Sequence, residues 1–230
     1  MDFLVLFVIY HILFAVYGFK IITKRSIDLT AAYSSNMEER LPRDVLPQEY
    51  LINFYINYEE KRFNGNMTMK LKWENDTERI AFHSHRDLHI RDRSIDLRKC
   101  YTDDRENILE DISVARISKF YKKSIYTLHL NSFIRRGSHC ELYMEFESHI
   151  WTKAEGLFYG SYNGDNKNEQ IHSIATNLYP TNARRLFPCF NEPEFKANYK
   201  INIHIYIRIS ANILIYLFVL QIQKITMPIV

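Results

Sequence analysis

Nine histidines and 27 aspartates and glutamates supply material for a metal or acid–base site. His83, His85 and His89 cluster in one short segment, and on a strand His83 and His85 would share a face. A zinc site would need a third ligand and a supporting shell. The three are therefore read as surface histidines rather than ligands. No histidine is followed by glutamate, so H-E-x-x-H is absent and a zincin centre cannot be built from these residues alone. Gly156, Gly160 and Gly164 recur every four residues without a following Lys-Ser/Thr, which reads as turn glycines rather than a phosphate loop. Glu192 and Glu194 flank Pro193 and read as charges on an exposed turn rather than as a carboxylate pair. No Ser/His/Asp set can be assigned.

The three cysteines, Cys100, Cys140 and Cys189, leave at least one thiol unpaired within the chain, and no C-x-x-C is present. Cys100 and Cys140 pair if the compartment is oxidising; otherwise all three are buried free thiols. Both alternatives stand at the level of sequence. The composition is globular, 47% hydrophobic and 25% charged, with 15 Phe and 16 Tyr to bury a core. A net charge of +3 carries no focused basic excess, so nucleic acid is not an expected partner.

The elements that would position any site are strands. Tyr50, Ile52, Phe54, Ile56 and Tyr58 alternate with residues such as Asn53 and Asn57. Phe63, Gly65, Met67, Met69, Leu71 and Trp73 alternate with Asn64, Asn66, Thr68, Lys70 and Lys72. The pattern returns at 126–130, at 140–147 and at 201–209. Period two means one buried and one wet face, hence antiparallel sheets. No amphipathic helix is expected between 41 and 209. The expected fold is all-β, an antiparallel sandwich or saddle of stacked sheets.

The ends differ from this body. Residues 1–18 form an apolar run, read as a signal peptide or a short anchor. Residues 19–40 read as a linker or stalk, 41–209 as the β-domain and 210–230 as an atypical apolar tail. Asn66-Met67-Thr68 and Asn75-Asp76-Thr77 are N-glycosylation sequons, and they agree with a secretory start.

One segment is specific enough to carry a resemblance. Ala175-Thr176-Asn177-Leu178-Tyr179-Pro180-Thr181-Asn182-Ala183-Arg184-Arg185-Leu186-Phe187-Pro188-Cys189-Phe190-Asn191-Glu192-Pro193-Glu194-Phe195-Lys196-Ala197 resembles the A-T-Q-x-x-P-T-x-A-R-x-x-F-P-C-F-D-E-P-x-x-K-A signature of aminopeptidase N-type zinc aminopeptidases. Arg40-Leu41-Pro42 with Pro47 and Tyr50 resembles that family's domain start. Phe63-Asn64-Gly65 resembles its F-x-G turn, and Gly156 to Tyr162 its glycine-tyrosine-serine loop. The likeness runs from about residue 40 to about 205.

The resemblance implies the family's non-catalytic N-terminal β-domain, ending before the catalytic portion and its zinc. Residues Asn177 and Tyr179 are then expected to face substrate, in positions where the family has Gln and Glu or Gln. Arg184, Arg185, Pro188, Asn191, Glu192, Pro193 and Lys196 are expected to be structural, with the two arginines anchoring the turn through carboxylates. Asn191 stands where the family has aspartate. No cofactor is expected in this chain, and zinc belongs to full-length relatives. A peptide substrate is expected only where a catalytic domain accompanies this one, and the chain alone is expected to be inactive. The alternative is a secreted or membrane-tethered, non-enzymatic β-sandwich binding protein. The expected location is the secretory pathway and the cell surface or exterior, with membrane association through the N-terminal segment.

Overall fold

Alternation in the sequence becomes alternation in burial. The computed structural model describes residues 40–102, 111–163, 170–206 and 218–228. The apolar start at 1–18 and all but the last residue of the 19–40 linker lie outside the described residues. Strand β1 (Val45–Asn57) buries Tyr50, Ile52, Phe54 and Ile56 and leaves Asn53, Tyr55 and Asn57 half-buried. Strand β2 (Arg62–Trp73) buries Phe63, Met67, Met69, Leu71 and Trp73 on the same side. Sequence patterning also finds β7 (Ile125–Ile134), β8 (Ser138–His149) and β11 (Lys196–Tyr206).

Seven further strands complete the fold: β3 (Thr77–His83), β4 (His89–Ile90), β5 (Asp96–Thr102), β6 (Val114–Phe120), β9 (Gly156–Asn163), β10 (Gln170–Asn177) and β12 (Phe218–Pro228). The large sheet runs β12-β11-β1-β2-β8-β4, with β5 sharing the β8 edge beside β4. A second sheet is β3-β7-β6, and β9 and β10 form a hairpin. Among the described residues there is no α-helix, only short 3-10 turns, and the all-β expectation holds. Side chains from both sheets enter one buried cluster.

The expectation of purely antiparallel pairing needs correction. β1 and β11 run parallel, Tyr50 opposite Tyr199 and Ile56 opposite Ile205. One wet face produces the same alternation in either direction, so the pattern could not reveal this. A parallel pair needs a long connection, and here nearly the whole domain lies between the two strands. Gly160 is not a turn residue either: it lies within β9, opposite Ser173. Gly156 does require its glycine, because it opens β9 at φ +69°. Of the 210–230 stretch, Phe218–Pro228 runs antiparallel to β11.

Gly65 explains the F-x-G motif. It sits on the core face of β2, in register between Phe54 of β1 and Phe146 of β8. Those two rings meet edge to face with centroids 5.9 Å apart. A β-carbon at Gly65 would lie 2.6 Å from the Phe146 ring and 2.6 Å from the Asn53 carbonyl oxygen. The missing side chain is what lets the flanking aromatics close over the strand. Gly65→Ala should therefore cost about 1–3 kcal/mol of stability by overpacking. Thermal melts of the variant should show it, and Phe146→Leu in the same background should recover part of the loss. An unchanged melting temperature for Gly65→Ala would mean that the ring and the backbone yield freely.

Candidate functional site

The signature segment folds as a short 3-10 turn (Asn182–Arg185) followed by an irregular stretch to Phe195. Its apolar residues Ala183, Leu186, Phe187, Cys189, Phe190 and Phe195 are all buried. Irregular backbone inside a core must find partners for its own N–H and C=O groups, and here other parts of the chain supply them. Cys189 forms an isolated bridge with His83 at the end of β3, donating to the His83 carbonyl at 3.0 Å and accepting from the His83 N–H at 2.8 Å. The His85 N–H donates to the Arg184 carbonyl at 2.8 Å. The Phe190 N–H donates to the Tyr50 hydroxyl oxygen at 3.1 Å. Tyr50 itself stacks on Tyr199, centroids 4.8 Å apart.

A polar chain runs through the same turn. Arg184 Nε and its backbone N–H both donate to Asn191 Oδ1 at 3.2 Å, and Nη2 reaches the Asn191 carbonyl at 3.4 Å. The Asn191 N–H donates to His83 Nδ1 at 3.2 Å. That bond makes Nδ1 an acceptor and leaves Nε2 to carry the proton, 3.9 Å from Glu192 Oε1. The same Glu192 oxygen accepts the Leu41 N–H at 2.7 Å, tying the turn to the start of the domain. Arg43 pairs with Glu194 beside it.

Two sequence readings change accordingly. His83 is 1% exposed and structural, not a surface histidine. Glu192 is not a free charge on a turn: its side chain is largely covered, and burial raises its pKa against the opposing pull of the Leu41 N–H. Among the arginines, Arg185 does meet carboxylates, Glu155 at 3.0 Å and Asp87 at 3.7 Å. Arg184 also grips the side-chain amide and carbonyl of Asn191. His85 is held below the usual histidine range by burial and then by Arg185, and its Nδ1 takes the Asp87 N–H at 3.2 Å. The neutral acceptor fits that bond; an ion pair with the Asp87 carboxylate would not. Burial also pushes the Cys189 thiol far up, so it is inert. Pro188 is buried, while Pro193 and Lys196 are exposed.

The opposite side of the segment is presented outward. Tyr179 is 51% exposed and precedes a cis peptide bond to Pro180. Its N–H donates to Asn177 Oδ1 at 3.3 Å, and its carbonyl accepts from Asn182 Nδ2 at 3.0 Å. Asn177 ends β10 and donates from Nδ2 to the Ala154 carbonyl at 2.8 Å, locking the loop to the neighbouring hairpin. Gly156 faces Asn177 in that hairpin, and a β-carbon there would lie 2.9 Å from Arg185 Cβ. The structure thus gathers Asn177, Tyr179, Arg184, Arg185, Asn191 and Glu192 around one turn. Sequence reasoning missed the partners His83 to Asp87 and Tyr50, because their role depends on contacts more than 90 residues away in the chain.

Elsewhere, Cys100 and Cys140 are bonded across β5 and β8, with Cα atoms 4.1 Å apart, and Cys189 is the free thiol. Among the described residues no three His, Cys, Asp or Glu side chains lie together as a metal site.

Comparison with known proteins agrees on one relationship. The Peptidase M1 N-terminal domain matches residues 46–210. Glutamyl aminopeptidase of Rattus norvegicus is 27% identical over 167 residues, covering 71% of this chain and 16% of that protein. Endoplasmic reticulum aminopeptidase 2 of Homo sapiens is 28% identical over 172 residues, covering 72% and 17%. Aminopeptidase M1 of Arabidopsis thaliana is 26% identical over 170 residues, covering 73% and 18%. The chain therefore spans less than a fifth of the length of these relatives.

Two variants test the polar chain. Arg184→Ala should destabilise the fold by about 1–3 kcal/mol, because it removes the two guanidinium hydrogen bonds to Asn191 and leaves Oδ1 with the backbone N–H alone. Glu192→Gln keeps an acceptor for Leu41 and removes the covered charge. A carboxyl whose folded pKa is raised binds its proton more tightly when folded, so ionising it lowers stability. Relative to Glu192→Gln, the parent chain should lose stability as pH rises from the ordinary carboxyl range through the raised pKa. Denaturant melts across that range read the sign. A parent chain that gains on the variant over the same interval would contradict the burial of Glu192.

Proposed function

This chain belongs to the M1 peptidase family, of which it carries the N-terminal domain, and we propose that it is the non-catalytic β-domain of a zinc aminopeptidase, shaping the entrance by which a peptide's N-terminal residue reaches the metal. The observation that carries this reading is Tyr179: an exposed ring on a loop whose backbone is tied down on both sides by Asn177 and Asn182. A side chain held in that way meets a ligand with little ordering cost. The described residues do not form a ligand set for zinc. Metal chemistry belongs to a catalytic portion, and no step of peptide hydrolysis is assigned to this domain. Its part is to bind, orient and narrow. Tyr179 supplies an aromatic face and a hydroxyl where a carboxylate would hold a protonated amine, so binding of the substrate amine is weaker here.

The same reading places the protein in the secretory pathway. The Cys100–Cys140 pair suits an oxidising compartment. Asn75 lies exposed in the turn between β2 and β3, and Asn66 lies on the wet face of β2. The apolar run at 1–18 would direct or anchor the chain at a membrane.

Two measurements test the proposal. The 230-residue chain alone should hold no stoichiometric zinc by metal analysis and should release no amino acid from aminoacyl reporter substrates. Joined to its catalytic portion, Tyr179→Glu should raise kcat/KM for N-terminal residues about tenfold or more, the order of one new charge-assisted contact. Bound zinc with turnover in the chain alone would overturn the non-catalytic role. An unchanged kcat/KM in a folded Tyr179→Glu enzyme would remove Tyr179 from the entrance.

A further inference from the structure

The large sheet has a second face that no layer covers among the described residues, and it is polar, with many of its charges paired across strands. Asn202 Nδ2 donates to Asn53 Oδ1 at 2.8 Å, and Asn53 Nδ2 donates to Asn66 Oδ1 at 2.7 Å. These amides form a ladder across β11, β1 and β2, in register. Each amide passes its donor to the next, and the ladder ends at Asn66. The Asn66 oxygen is occupied and its orientation fixed, while its Nδ2 has no protein partner among the described residues. The residue beyond it in register, Glu145 on β8, is already engaged by Tyr143 and Arg91.

Asn66 is also the asparagine of Asn66-Met67-Thr68. Strand periodicity puts Asn66 and Thr68 on the same wet face, both half-buried. The free donor at the end of the ladder is thus the nitrogen to which an N-linked glycan attaches. Attachment there breaks none of the ladder's hydrogen bonds, and the fixed amide plane gives the first sugar a defined direction. The other sequon is built differently: Asn75 Nδ2 donates to Asp44 at 2.9 Å in an exposed turn.

The face offers a seat for such a chain. Tyr55 and Tyr143 occupy the diagonal register positions on either side of Asn66. Two residues along β2, about 7 Å away, a cleft of about 690 Å³ opens, lined by Tyr55, Asn57, Arg62, Asn64, Glu147 and Tyr206. That volume is within the range of about 300–1,000 Å³ for small-molecule sites. Its charges are mixed rather than of one sign: Arg62, His89 and His149 line it with Glu60, Asp87 and Glu147, of which Glu147 pairs with Arg91 and Asp87 with Arg185. Aromatic faces with amides suit an uncharged ligand that has an apolar ring face and many hydroxyls. A sugar chain has that chemistry.

We infer that Asn66 carries an N-linked glycan whose core lies on the polar face of the large sheet and fills the cleft beside Tyr55 and Tyr206. The inference rests on the secretory reading given above. The glycan acts as the outer layer of a sheet face that the described residues leave bare.

The test uses the full chain secreted from a eukaryotic host. Site occupancy is read by mass spectrometry, and release of each glycan from the native protein is timed with peptide-N-glycosidase. Both sequons should be occupied. The Asn66 glycan should leave about tenfold more slowly than the Asn75 glycan, because only its undocked fraction is cut. Tyr55→Ala and Tyr206→Ala should each bring the Asn66 rate toward that of Asn75, and Thr68→Ala should abolish the Asn66 glycan alone. Occupancy at Asn75 with none at Asn66 would overturn this inference and leave the secretory reading intact. Secreted material bearing no glycan at either site would overturn both. Equal release rates, unmoved by the tyrosine variants, would show a glycan that does not dock.

Discussion

The irregular turn from Ala183 to Phe195 can sit inside the protein only because strands far away in sequence satisfy its backbone. Its carbonyls and N–H groups are claimed by His83, His85 and Tyr50, and its acidic residue is claimed by Leu41. Each unmade bond of this kind would leave a buried polar group at a cost of about 1–3 kcal/mol. Four elements therefore have to be in place together: the domain's first residues, the end of β3, the middle of β1, and β11 with Tyr199 stacked on Tyr50. The turn is the clamp that makes two sheets and a hairpin one body.

That clamp divides the signature segment into two halves with different work. The inner half is largely buried, and its Cys189 and Glu192, together with His83 from β3, are spent on structure. The outer half, Asn177 to Asn182, is fixed to the inner half and to the β9–β10 hairpin and points one aromatic ring outward. Rigidity inside is what gives the exposed residue a defined position. At Asn191, where the resemblance expects aspartate, the amide oxygen accepts from Arg184 and the backbone N–H reaches His83.

Much of this was legible in the residues alone. The all-β class and the three longest strands, β1, β2 and β8, follow from strict alternation, and the family likeness follows from a long string around Pro188. The parallel pairing of β1 with β11 was not legible, because alternation reports which face is wet and not which way a neighbour runs. The short strands β4 and β5 are too brief or too bulged for a period to register. His83 was misjudged because a histidine between Phe82 and Ser84 looks the same whether solvent or a backbone N–H meets its ring. Its burial is a property of the turn that packs on it, some hundred residues later. Arg185 meets the carboxylates expected of it, Glu155 and Asp87.

The central claim is that the signature turn is locked by global structure rather than lying on it as a surface loop. Native-state hydrogen exchange measures this directly, amide by amide. The amides of His83, Cys189 and Asn191 should exchange only through global unfolding, with the same opening free energy as Met67 and Met144 in the central strands. Exchange of those three by local opening, while β2 and β8 stay protected, would show that the turn is a separable loop and that the clamp does not exist.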